Sequence, residues 1–314
     1  MARLRDGGAA CGVVARPGRA AAAAVLLLPV WLAAAHAAGA VAARDDTGRR
    51  IHLPRPARRI VSLAPHVTET LFDLGVGNRV VGASRYSNYP PPAKRIPRVG
   101  GAAGLDYERI LALHPDLVVA WASGTGKASI RKLRRLGLTV FVSRPRSFAD
   151  IASGFERLGR LVGRPRRGRA LAAQFRQRVA AIRGRWSHRR PVRVFYEIWN
   201  RPLMTVGGSH IISEAIRACG GRNVFGDLDS LAPRVATGAV LGRDPQAIVV
   251  GGPRSWLGYW HRWDRLTAVR DGNLFRLDPD RIQRPGPRIV EGTRALCRDL
   301  QQARQRLGGS AHRH

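Results

Sequence analysis

Apolar residues between positions 171 and 186 recur every three or four residues. Leu171, Phe175, Val179, Ile182 and Trp186 hold one face apolar over several turns, and neither glycine nor proline falls between Leu171 and Arg183. The spacing predicts one helix over 166–187, ~30 Å long at 1.5 Å per residue, stiff enough to act as a strut. On either side the pattern changes to short apolar runs. Four runs precede the strut, at 60–63, 80–83, 117–121 and 140–143, and three follow it, at 192–198, 248–250 and 274–277. Helical patterns at 67–74, 106–113 (capped by Asp106), 124–137 and 148–162 (behind Ser147) lie between the first set. Further ones at 211–219, 256–266 and 288–307 accompany the second set. Strand and helix therefore alternate throughout, which predicts an α/β fold with parallel sheets in two Rossmann-like lobes joined by a long rigid helix. The lobes are expected at 44–165 and 188–307. The stretch 44–56 reads as an extended lead-in, and 308–314 as a disordered tail whose histidines face solvent.

The two halves echo each other. ETLFDLGVGNRVVG begins at Glu69 and EAIRACGGRNVFG begins at Glu214, each with a glutamate six residues before a glycine, then an asparagine and a closing glycine. ILALHPDLVV from Ile110 is answered by VLGRDPQAIVV from Val240. The pairs lie about 130 and 145 positions apart, an imperfect duplication and not a short tandem array. Two similar lobes in one chain imply a ligand held between them.

The N-terminus addresses the compartment. Arg3, Arg5, Arg16 and Arg19 precede an Ala/Leu/Val run at 20–35, and small residues follow it. That is a secretory signal over 1–43, cleaved between Ala37 and Arg44; the apolar run falls short of the ~20 residues that a bilayer requires. Cys11 precedes the run, so it is not the acylated cysteine of a lipoprotein. The exported protein is expected to be soluble. Its 314 residues, 45% hydrophobic and 24% charged, suit a globular protein, but 54 Lys+Arg against 21 Asp+Glu give a charge of +33. Arginine dominates, since lysine stands only at 94, 127 and 132, and it is spread over every surface segment with no nucleic-acid-binding spacing. Nucleic acid is not the expected partner. Cys219 and Cys297 remain after export; they form a disulfide, favoured by an oxidising compartment, or stand as two buried thiols.

No catalytic constellation is present: no GxSxG, HExxH, Walker loop or CxxC. Gly124-Thr125-Gly126-Lys127 has the wrong spacing for a phosphate loop, and His66 near Glu69 reads as a turn histidine without a nucleophile to serve. No metal site, cofactor or enzymatic activity is expected. Large aromatics instead stand where strands end, which is where ligands bind in such folds. Tyr86 and Tyr89 follow the 80–83 run, Trp121 ends 117–121, and Trp199 follows 192–198. The segment Asp280-Arg281-Ile282-Gln283-Arg284 follows the last strand and adds polar and cationic groups, so Asp280, Ile282, Gln283 and Arg284 join Tyr86, Trp121 and Trp199 as candidate ligand-binding residues.

RIVSLAPHVTETLFDLG, GASRYSNYPP, ERILALHPDLVVAW, ACGGRNVF and RPGPRI occur in an order that resembles the periplasmic substrate-binding components of the cobalamin and iron-siderophore ABC importers, over nearly the whole exported chain. Within that family the likeness is greatest to the cobalamin-binding branch. The resemblance implies a monomer with a shallow cleft, in which Tyr86 packs against a corrin, Trp121 is a cleft tryptophan, and Asp280, Gln283 and Arg284 touch the ligand's edge amides. It also places Cys219 and Cys297 at a disulfide and Glu108 at a contact with an inner-membrane permease. This chain departs from the pattern where Ala102, Ala103 and Ala232 replace tryptophans, where Gln283 replaces an acid, and where Gly238 replaces the second docking glutamate; Asp227 or Asp229 is the substitute. The implied function is capture of cobalamin in the periplasm and delivery to the importer. Alternative cargoes are a ferric siderophore or haem, with Tyr86 and His66 as haem ligands. A different class of function is a secreted basic protein that binds anionic polymers.

Overall fold

The computed structural model describes residues 9–10, 12–13, 39–101 and 103–311, so the leader lies outside the described residues apart from short pieces. Lobe 1 runs through β1 (Val41–Arg44), β2 (Arg50–Leu53), β3 (Ile60–Ser62), α1 (Pro65–Asp73), β4 (Val80–Ala83), β5 (Gly100–Gly101), β6 (Gly104–Leu105), α2 (Tyr107–Ala112), β7 (Leu117–Trp121), α3 (Ala122–Thr125), α4 (Lys127–Arg135), β8 (Val140–Ser143) and α5 (Phe148–Leu161). The strut is α6 (Pro165–Trp186). Lobe 2 contains β9 (Val192–Glu197), α7 (Ile211–Ala218), β10 (Gly221–Asn223), α8 (Thr237–Arg243), β11 (Ala247–Val250), α9 (Leu257–Trp260), α10 (Thr267–Arg270), β12 (Leu274–Arg276), α11 (Pro279–Ile282) and α12 (Ile289–Ala311).

The duplication legible in the sequence is a duplication of topology. The main sheets have the orders β4-β3-β7-β8 and β10-β9-β11-β12, and every pairing within them is parallel. Strands β7 and β11 are buried along almost their whole length, as expected of central strands covered on both faces. Gly75 and Gly220, the glycines of the echoed motif, adopt φ of 74° and 68° just past α1 and α7. A left-handed residue there ends a helix without the steric cost of a Cβ.

α6 binds the lobes together. Its buried face is Ala172, Phe175, Val179 and Ile182, and it packs against α5 of lobe 1 and against α7 and α12 of lobe 2. Phe148 and Phe155 meet Phe175 edge-on at 6.1 and 5.6 Å, so one apolar core runs from α5 through the strut into lobe 2. Close approach of α5 and α6 depends on glycines: a Cβ on Gly159 would lie 3.0 Å from the Cα of Gly168. Ser147 and Asp150 form a reciprocal capping box that starts α5. Cys219 and Cys297, both fully buried, are joined by a disulfide with an S–S distance of 2.02 Å. It ties α12 to the end of α7.

Four local expectations are corrected. The lead-in is the β1–β2 hairpin. Asp45 accepts from the Thr47 and Arg49 amides to make its turn, and Ile51 and Leu53 alternate inward. That hairpin includes Val41–Ala43, with Ala43 buried. The helix expected at 124–137 breaks into α3 and α4 at Gly126, whose φ is 78°. The helix expected at 256–266 shrinks to a 3-10 turn and the four-residue α9, which ends at fully buried Trp260. The closing helix continues to Ala311 instead of ending in a tail at Gly308; packing of Leu300, Ala303 and Leu307 outweighs the poor helix propensity of its glycines.

Candidate functional site

The candidate residues Tyr86, Trp121 and Trp199 stand at or just past the carboxyl ends of parallel strands. In lobe 1 a buried chain of hydroxyls fixes the loop that carries Tyr86. Ser62 Oγ meets Thr68 Oγ1 at 2.8 Å, Thr68 Oγ1 donates to Ser87 Oγ at 2.9 Å, and Ser87 and Ser84 are 2.9 Å apart. The Tyr86 ring is left 67% exposed beside a concavity of about 380 Å3 lined by Arg85, Gly101, Ala103 and Gly104. Trp121 ends β7; its amide donates to Thr125 Oγ1 at 3.1 Å. The turn beneath its ring must be glycine, since a Cβ on Gly124 would come within 2.3 Å of the indole. His66, in the first turn of α1, stands against that indole at 5.3 Å between centroids and 83° between planes. Burial, reinforced by nearby Arg284, lowers the His66 pKa to about 3, so the imidazole is neutral, and its Nε2 has no hydrogen-bond partner.

Lobe 2 presents Trp199, 55% exposed, with its indole N–H donating to the Arg201 carbonyl and its ring 5.9 Å from Trp256. Trp256 lies over Gly252, where a Cβ would be 2.4 Å from the ring. The loop carrying Trp199 is anchored from below by Glu197, a buried carboxylate that accepts from Trp260 Nε1 at 2.7 Å and Asn200 Nδ2 at 2.8 Å. Burial raises the pKa of Glu197.

Between the lobes lies a charge network. Arg284 Nη1 donates to Glu69 at 3.1 Å and to Asn88 Oδ1 at 2.8 Å, and its Nη2 donates to Asp280. Arg288 reaches both oxygens of Glu69, at 3.0 and 2.7 Å, and its guanidinium lies 3.9 Å from the centre of the Tyr89 ring. Asn88 closes the circuit by donating to Asp280 at 3.1 Å. Two arginines thus face two carboxylates, so the cluster is balanced in charge.

Of the residues singled out in the sequence, Asp280 and Arg284 are bonded in this network, Trp121 packs on His66, Tyr86 lines its own concavity, and Trp199 lies in lobe 2 with Trp256. Gln283 serves the interior of lobe 2, where its Nε2 donates to the Gly251 carbonyl at 2.7 Å and to the Tyr196 hydroxyl at 3.3 Å. Ile282 is corrected outright, because it has no exposed surface and packs in the core with Ile289 and Val290. Glu69, Asn88, Arg288 and Trp256 were not anticipated as site residues. Glu69 had a signal, as the first residue of the echoed motif. No group of His, Cys, Asp and Glu able to hold a metal occurs among the described residues, and no described helix is long and apolar enough to cross a membrane.

A family model described as "Periplasmic binding protein" matches residues 60–281. The chain belongs to the periplasmic binding protein family. Among the relatives, the vitamin B12-binding protein of Vibrio cholerae (classical Ogawa strain O395) is 35% identical over 254 residues, covering 80% of this chain and 92% of the relative. The crystal structure of the periplasmic vitamin B12-binding protein of Vibrio cholerae, 35% identical, superposes with a TM-score of 0.74 over 79% of this chain and 98% of that one. The periplasmic haem-binding protein RhuT from Roseiflexus sp. RS-1, 26% identical, superposes with a TM-score of 0.70 over 79% and 99%. The two-lobed α/β architecture is therefore that of the family.

Proposed function

We propose that this protein captures a cobalamin-type corrinoid in the periplasm and delivers it to an ABC importer, as a carrier and not a catalyst. The relatives named vitamin B12-binding proteins support the cargo. The observation that supports the reading here is chemical: aromatics at the strand ends, exposed Tyr86 and Trp199 with Trp121 and Trp256, and an arginine pair already balanced by Glu69 and Asp280. Flat aromatic faces suit a macrocycle, and the residual donors of Arg284 suit neutral edge amides. An anionic siderophore would call for cations without internal partners. Haem would call for an accessible axial ligand; of the two candidates named above, His66 is buried and Tyr86 is exposed.

Docking to the permease is assigned to Glu108, exposed in the first turn of α2. Gly238 offers no charge at the matching position of lobe 2. Asp227 is held by Arg243 through two bonds of 2.8 Å, so Asp229, exposed nearby, is the second contact. Calorimetric titration of the exported protein with cyanocobalamin, haemin and a ferric siderophore tests the cargo. Cyanocobalamin is expected to bind; saturable binding of haemin alone would replace it.

A further inference from the structure

The echoed glutamates do the same work from opposite sides. Glu69, on the first helix of lobe 1, is 98% buried in its side chain and holds Arg284 and Arg288, the second of which immediately precedes the last helix of lobe 2. Glu214, on the first helix of lobe 2, accepts at 2.7 Å from the amide of Phe148, the first residue of the last helix of lobe 1, and at 2.6 Å from Arg183 of the strut. Each carboxylate therefore crosses to the start of the other lobe's closing helix. An arginine stacks on an aromatic of lobe 1 at both places, Arg288 on Tyr89 at 3.9 Å and Arg183 on Phe148 at 6.0 Å.

We infer that Glu69 and Glu214 are paired positioning residues that set the spacing of the two cleft walls before ligand arrives. The apolar core through α6 joins the lobes but contains no directional bond at the cleft. Charge-assisted hydrogen bonds supply that direction, because a buried carboxylate is stable only where its donors stand. Glu69 is the stronger of the two, since both its oxygens are engaged and its donors are themselves sheltered, with 11% and 14% of the Arg284 and Arg288 side chains exposed. Its arginine partner Arg284 also belongs to the proposed binding surface, so loosening the clasp moves a cleft wall. Binding then has to supply the ordering that the clasp had supplied in advance.

The effect on affinity rests on the corrinoid reading; the effect on spacing does not. Spin labels at Leu111→Cys on α2 and Gly242→Cys on α8, both at exposed positions, report the distance between lobes by pulsed electron resonance. In the otherwise unaltered protein the distribution is expected to be narrow and the same with and without cyanocobalamin. Glu69→Gln and Glu214→Gln should each broaden it, and Glu69→Gln should weaken cyanocobalamin binding about tenfold or more while the visible spectrum of the bound ligand stays unchanged. Should Glu69→Gln fail to fold, exposed Asn88→Ala removes the lobe 1 side chain that bonds both Arg284 and Asp280 of lobe 2, without touching a buried charge, and should broaden the distribution in part. Unchanged distributions in these variants would overturn the inference, as would broadening with no loss of affinity. Broadening in a protein that never binds cyanocobalamin would uphold the clasp and sink the cargo.

Discussion

The imidazole of His66 stands nearly perpendicular to the indole of Trp121, 5.3 Å away, and so joins the first turn of α1 to the end of β7. The pair is closed from the other lobe by Gly286, where any Cβ would come 2.8 Å from that of His66. A histidine so enclosed is neutral, with a pKa of about 3.

Acid should therefore destabilise the protein through this group. In the unfolded chain His66 titrates near its ordinary 6.5, in the folded one near 3, so between these values the unfolded state binds the extra proton. The stability from this site is full above about pH 6.5 and is lost as pH falls towards 3. His210, lowered to about 4 by burial, acts in the same direction, whereas Asp299, raised to about 6 by burial, acts in the opposite one. Comparing denaturant midpoints of the native chain and His66→Phe from pH 7 to 4 isolates the contribution. The variant should show the shallower fall with acid, and parallel curves would exclude the assignment.

Removing the indole should cost affinity. Trp121→Ala and Tyr86→Ala are each expected to weaken cyanocobalamin binding by about tenfold, since an aromatic contact is worth roughly 0.5–1.5 kcal/mol beyond its buried area. Tyr86→Phe keeps the stacking face and should bind as the native protein does. A tenfold loss in Tyr86→Phe would point instead to the phenol oxygen as an axial ligand, and hence to haem as the cargo.

The disulfide should contribute stability without affecting binding. It closes a span of 78 residues, which restricts the unfolded chain by about 4 kcal/mol in the loop-entropy account. The double variant Cys219→Ala, Cys297→Ala should lose up to about that much in chemical unfolding, while keeping its ligand affinity within about twofold. A large loss of affinity would mean that the pairing of α7 with α12 shapes the cleft.

Reversal of the docking charge should separate transport from capture. Glu108→Lys is expected to reduce importer-dependent uptake while calorimetry shows unchanged ligand binding, because the side chain is exposed on α2. Unimpaired uptake would remove Glu108 from the docking surface.

Much of the fold was legible in the sequence because its signals are local. The strut has a continuous helical stripe, β7 and β11 are uninterrupted apolar runs, and Ser147 and Asp106 announce the helices that they cap. The hairpin was missed because its signal is a turn, Asp45 to Gly48, and not a hydrophobic run. The site was half legible. Aromatics placed after strands could be found from order alone. The direction of a side chain in the 280–284 segment could not: α11 points Ile282 into the core and Gln283 at Gly251. Glu69 shows the remaining gap, since its two arginines lie more than two hundred positions away and only folding brings them to it.

Calorimetric titration of the native exported protein with cyanocobalamin at low and high salt tests the central claim most directly. The account predicts one saturable site whose affinity changes little with salt, because the cluster at the cleft is balanced in charge and the contacts are aromatic. No binding at tens of micromolar, or binding that collapses as salt rises, would contradict it.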